Sequence, residues 1–219
     1  MEPKQSSQRY KISKAMLERI PKYYYYIKEL KRRGEEYISS AEVATALRLN
    51  AIQVRKEFAE VSSVAGKPRI GFRIDTLLKD MEVFLGYNNI DEVIIVGAGR
   101  LGQALMFYDG FQKYGFNIVA AFDNNPKLFG MTFNEKPVLD IKELPQFVQR
   151  MNIQMAIIAL PKQYTQEVAN LLVDAGIKGI LNFSQRFLEV PEDVVVQDIN
   201  IVATLAILAR NMKKKQDNR

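Results

Sequence analysis

The feature that most constrains this chain is a short apolar run, Val93-Ile94-Ile95-Val96, that empties into Gly97-Ala98-Gly99-Arg100-Leu101-Gly102. A strand meeting a helix through this spacing has a mechanical reading. Gly97 makes the tight turn, Gly99 lets the backbone approach a pyrophosphate, and Gly102 lets the helix pack close to the strand. A second apolar run, Asn117 to Phe122, ends in Asp123. That is about 20 residues past the last glycine, where a dinucleotide fold places the acid that bonds the adenosine ribose. The residues after it, Asn124-Asn125-Pro126, are neutral, so NAD(H) is expected rather than NADP(H). Asn124 and Lys127 fall on the adenosine side.

The pattern continues downstream. The apolar strand from Met155 is stopped at Ala159-Leu160-Pro161, where a third loop after a strand would face the cofactor. Ile180-Leu181-Asn182-Phe183 reads as another strand with Ser184 at its mouth, and Val194-Val195-Val196 as one more. The segment Gly130 to Pro137 reads as turn-rich. Strands alternating with helices imply a doubly wound parallel Rossmann sheet over residues 87–199.

The first part of the chain has a different character. All of the +6 net charge lies in residues 1–85, and the remainder is balanced, as expected of a polyanion-binding segment joined to a neutral one. Residues 1–12 read as a disordered leader. Helical periodicity then runs from Ser13 to Gly34, with Pro21 either kinking the helix or starting its main segment. Tyr24 and Lys28 have the Tyr-x-x-x-Lys spacing of some reductases but sit far from the glycine turn, so a structural role is expected.

Ser39-Ser40-Ala41-Glu42 is a capping box opening one helix, and Asn50, with Gln53 three residues on, caps a second. Two short capped helices about 3 residues apart make a helix-turn-helix. On the second, Ile52 and Phe58 are expected to pack, while Gln53, Arg55 and Lys56 face base edges and phosphates, with Ser40, Asn50 and Ala51 nearby. Gly66 to Phe72 reads as a small β-wing whose contacts are Lys67 and Arg69. Residues 13–86 are therefore expected to form a winged helix-turn-helix that binds double-stranded DNA.

Composition removes several other classes. With no Cys and no His, thiol catalysis, disulfides, most zinc sites and the usual proton shuttle of dehydrogenases are absent. No 18-residue apolar run and no signal-peptide core exist, so a cytoplasmic protein without a membrane partner is expected. The terminal stretch Ile201 to Ala209 is apolar nearly all round, which calls for burial against a second subunit and hence a homodimer. The exchanged helix is placed at 200–212 and a basic tail at 213–219.

In combination the chain resembles the Rex family of bacterial redox-sensing transcriptional repressors. The carriers are Leu49-Asn50-Ala51 with Gln53-Val54-Arg55-Lys56, the glycine block from Val96 to Gly102, Gly110-Phe111, Ala120 to Asp123, and Ala175 to Phe183. The resemblance implies a homodimer that binds a palindromic operator and leaves it when NADH displaces NAD+. It also implies that Tyr108 lies near the nicotinamide and that the terminal helix exchanges between subunits. Here Tyr25 and Asn200 stand where the family pairs an arginine with an aspartate, and Ser184-Gln185 replaces a common Ala-Pro. These departures bear on the operator sequence, the NADH affinity and the sign of the response. Two other readings stand beside this one: a winged-helix regulator with a weak or altered effector response, and an NAD-dependent oxidoreductase. The second lacks a substrate domain and residues for proton transfer.

Overall fold

Ser13 opens the first helix of this computed structural model, which describes residues 12–87 and 91–217. The Ser13 side chain accepts a hydrogen bond from the Met16 N–H, and α1 then runs Lys14–Arg32. Pro21 lies inside α1, which continues through it, so Pro21 does not start the helix. The helix tolerates this lost hydrogen bond because Met16, Ile20, Tyr23, Tyr24 and Ile27 bury one face of it.

The next elements follow their caps. Ser39 closes a full capping box with Glu42 ahead of α2 (Ser40–Leu47), and the Asn50 side chain accepts from the Ile52 and Gln53 N–H groups ahead of α3 (Ala51–Val61). Such caps are worth about 1 kcal/mol each. Short strands β1 (Tyr37–Ile38) and β2 (Phe72–Arg73) pair antiparallel and lead into α4 (Ile74–Leu85), which ends on left-handed Gly86. Phe58 sits fully buried between Tyr23 and Phe72 in edge-to-face contact with both. This order of elements is a winged helix. It occupies the first of two compact units, residues 1–88 and 89–219.

The second unit is built on a seven-stranded sheet. Its strands are β3 (Asp91–Val96), β4 (Phe116–Asp123), β5 (Thr132–Phe133), β6 (Lys136–Asp140), β7 (Met155–Ile158), β8 (Gly179–Asn182) and β9 (Val195–Asp198). They are ordered β5-β6-β4-β3-β7-β8-β9. All pairs are parallel except β5 with β6. Without β5 this is the 3-2-1-4-5-6 order of a dinucleotide fold. The expected doubly wound parallel sheet therefore carries one antiparallel edge strand. The segment expected to be turn-rich holds β5 and the start of β6, joined through Asn134 and Glu135, both at positive φ.

Helices α6 (Leu144–Met151) and α7 (Thr165–Ala175) cover one sheet face around Ile94, Val96, Phe122 and Ile158. The other face receives α5 (Arg100–Met106), which ends ahead of a turn at Asp109-Gly110. Gly110 explains the turn there, since a Cβ would collide with the Tyr108 ring that lies over it. The terminal helix α8 runs Ile201–Asp217, so Lys213-Lys214-Lys215 lie on the helix and not in a tail after it. The leader placed at residues 1–12 lies, apart from Ile12, outside the described residues. Among the described residues no helix is long and apolar enough to cross a membrane.

Candidate functional site

The registers of the second unit bring Val96, Phe122, Ile158, Asn182 and Asp198 level across the sheet. The loops after β3, β4, β7 and β8 thus open along one edge. That edge includes the crevice between β3 and β7, where helices switch faces and α/β sheets bind ligands.

Each glycine of the first loop has its own steric cause. Gly97 adopts φ +103, and a Cβ there would meet the Ala159 carbonyl at 2.6 Å. A Cβ on Gly102 would overlap the Gly97 carbonyl, so α5 packs against the turn only because this position has no side chain. At Gly99 an added Cβ meets nothing, leaving open space above the start of α5. This is the cradle a pyrophosphate needs, and the residues fit it. Asp123 closes the loop from β4: its Oδ2 accepts from the Ala98 N–H at 2.7 Å and its Oδ1 from the Asn125 N–H at 2.8 Å.

Around this cradle Arg100, Leu101, Asn124, Lys127 and Pro161 are exposed, and Ala159, Leu160 and Phe183 are half-buried. Tyr108 is 60% exposed and packs edge-on against Phe111. Asn182 and Ser184, expected as ligand contacts, are buried under the loop. The fully buried Asn182 amide donates to the Arg186 carbonyl and to Asp198 Oδ1, and it accepts from the Ser184 N–H and Oγ–H. These side-chain bonds run to one another, to Arg186 and to Asp198, so what they hold is the loop that carries Phe183. Asp198 belongs to this knot, and no motif pointed to it.

In the first unit, Ala51, Gln53, Arg55 and Lys56 are exposed on α3, Asn50 is exposed at its N-cap, and Ser40 is half-buried at the start of α2. Ile52 does not pack as expected. It is 58% exposed, because it falls opposite Val54 and Phe58 at helical spacing, and Val54 fills the core place instead. The wing is tight: Lys67 and Gly71 exchange both backbone hydrogen bonds at 2.8 Å, with Arg69 at φ +63 near its tip. Lys67 and Arg69 are both exposed.

One cluster beside the helix-turn-helix was not legible in the motifs. Glu57 of α3 is buried, and its carboxylate accepts from Arg19 of α1, bidentately, and from the Tyr23 hydroxyl at 2.6 Å. Gln53 Nε2 donates to its Oε1 at 3.3 Å. Burial pushes the Glu57 carboxyl up, but the Arg19 and Tyr23 hydrogen bonds outweigh it and hold the group below the ordinary carboxylate range. Burial and this carboxylate push the Tyr23 hydroxyl well above the ordinary phenol range. Tyr24, by contrast, is structural as expected: it is buried and donates to Glu82 at 2.7 Å, with Lys28 on its hydroxyl.

Comparison with known proteins places both units. Residues 11–59 match a family model described as a putative DNA-binding protein N-terminus, and residues 88–186 match a CoA binding domain model. The chain is 38% identical over 205 residues to a redox-sensing transcriptional repressor Rex of Carboxydothermus hydrogenoformans, covering 94% of this chain and 98% of that protein. It is 38% identical over 203 residues to a protein of the same description from Clostridioides difficile, covering 93% and 96%. Among solved structures it resembles RSP, a Rex-family repressor, at 32% identity over 95% of this chain and 97% of that one, with a TM-score of 0.86. RSP in complex with β-NADH, and RSP in complex with β-NAD+ and operator DNA, match with a TM-score of 0.87 each.

Proposed function

The chain belongs to the Rex family of redox-sensing transcriptional repressors, and from that premise we propose how its residues divide the work. The protein is a DNA-binding regulator and not an enzyme; it binds NAD(H) and couples the reduced or oxidised state of that nucleotide to operator occupancy. The observation that carries this is the near full-length match to a repressor solved once with β-NADH and once with β-NAD+ and operator DNA.

In our reading, Gly97, Ala98, Gly99, Arg100, Leu101 and Gly102 form the pyrophosphate cradle, and Asp123 accepts from the adenosine ribose. Asn124 and Lys127 flank the adenosine. Ala159, Leu160, Pro161, Phe183 and Tyr108 line the nicotinamide side, with Asn182 and Ser184 holding Phe183 from beneath. Asp123 also repels a 2′-phosphate, and the three residues directly after it, Asn124-Asn125-Pro126, are neutral, which selects NAD(H). On the DNA side the start of α3 enters the major groove with Gln53, Arg55 and Lys56, steadied by Ser40, Asn50 and Ala51. Lys67 and Arg69 of the wing lie against phosphates or the minor groove.

The protein works in the cytoplasm as a homodimer. Ile201, Val202, Leu205, Leu208 and Met212 of α8 are all exposed in the single chain. An open groove of about 270 Å³ along the sheet is lined by Val93, Ile118, Met155, Ile157 and Leu181. Exchange of α8 between two copies covers apolar surface that one chain leaves in water.

The switch is a linkage. NADH binds the operator-incompetent arrangement better than the competent one, since a ligand without differential affinity shifts nothing. Reciprocity supplies the test: NADH affinity, read by its fluorescence, should fall when saturating operator duplex is added, by the factor that NADH imposes on the operator. An NADH affinity indifferent to operator contradicts this reading.

A further inference from the structure

On the DNA-facing helix, Glu57 is a charge that reads no DNA. A carboxylate on a DNA-facing helix repels phosphates, yet this one is buried and tied by Arg19 and Tyr23, and its Oε1, which accepts from Arg19 Nε and Nη2, also accepts from Gln53 at 3.3 Å. Gln53 is four residues earlier on the same helix and therefore stands on the same face. We infer that Glu57 is a specificity-determining positioning residue that fixes the polarity of the Gln53 amide, so that the operator carries an A·T pair at the step Gln53 faces. The inference rests on the reading of α3 as the helix that enters the major groove.

The argument is one of donor and acceptor bookkeeping. A free glutamine amide can turn over and offer either end to a base. An ionised carboxylate only accepts, so it admits the Nε2 end of Gln53 and excludes Oε1. Arg19 and the Tyr23 hydroxyl keep Glu57 in that acceptor-only state. With one Nε2 hydrogen held by Glu57, Gln53 presents the other hydrogen beside Oε1. That pair of one donor and one acceptor matches adenine N7 and N6 in the major groove, whereas guanine offers N7 and O6, two acceptors, and sets O6 against Oε1. Discrimination then comes from a group that never touches DNA.

The test starts from a duplex that the full-length protein selects from a random pool in NAD+. Each base pair is then replaced in turn, and affinity is measured for the native protein, Gln53→Ala, Glu57→Gln and Glu57→Asp. The aspartate keeps a charge for Arg19 but draws it back from Gln53. At one A·T pair per half-site the native protein should lose at least about tenfold on replacement by G·C, within the range for one bidentate base contact. Gln53→Ala and both Glu57 variants should each flatten that preference to below about threefold, on the same basis. A purely structural Glu57 would weaken every duplex alike and leave the ratio standing, which overturns the inference while sparing Gln53 as a reader. If Gln53→Ala keeps every base preference, it is the reading of α3 at Gln53 that fails, and the inference with it. The native protein gives a second readout without substitution: with the Gln53 side chain labelled with 15N, one of its two amide protons should exchange more slowly than the other in the free protein. Equal exchange of the two contradicts the hydrogen bond to Glu57.

Discussion

Asp123 shows how a residue can be legible in type and position while its present partners are not. Its distance from the glycines marked it for a ribose, and the structure sets its carboxylate against the Ala98 N–H of the same loop. The carboxylate therefore braces the cradle and, in our reading, bonds the nucleotide. Asp123→Ala should weaken NADH binding by about 10- to 100-fold, the range for a hydrogen bond to a charged group, with an unchanged far-ultraviolet spectrum. Calorimetric titration checks it, and an unaltered affinity would remove the ribose assignment. Glu57 and Asp198 stayed hidden because both are long-range partners: Arg19 lies 38 residues from Glu57, and Asn182 lies 16 from Asp198. No local spacing marks such pairs. Asn200, which stands where the family carries an aspartate, caps α8 by accepting from the Ala203 N–H at 2.9 Å.

Among the elements, those announced by their own caps and glycines could be read directly: α2 by Ser39 and Glu42, α3 by Asn50, the end of α4 by Gly86. The failures have physical causes too. The pair β5 and β6 turns through Asn134-Glu135, both at positive φ, and a glutamate there lacks the Asn-Gly signature of such a hairpin. Ile52 was assigned to the core by its chemistry, although its helical angle turns it outward. At this scale the most exposed claim concerns α8. Its apolar residues find no cover in the single chain, and Leu205 is 58% exposed. Leu205→Glu should leave each unit folded but shift the protein from dimer to monomer, because a charge would have to be desolvated at the interface. Sedimentation velocity reads the outcome, and a dimer unaffected by the change would place the interface elsewhere.

For the molecule as a whole, family membership joins the two halves: a winged helix with its positive charge and a neutral nucleotide fold on one chain. The net charge of +6 confined to residues 1–85 supplies attraction to any duplex, and in our reading specificity comes from α3. Regulation then requires that nucleotide in one unit change the operator affinity of the other. A coupling of 1–3 kcal/mol is typical and corresponds to roughly a 5- to 150-fold change in affinity. The most direct measurement is operator affinity, by fluorescence anisotropy at fixed salt, with the protein saturated first by NAD+ and then by NADH. Binding should be weaker with NADH by a factor in that range; equal affinity in the two states would contradict the redox switch.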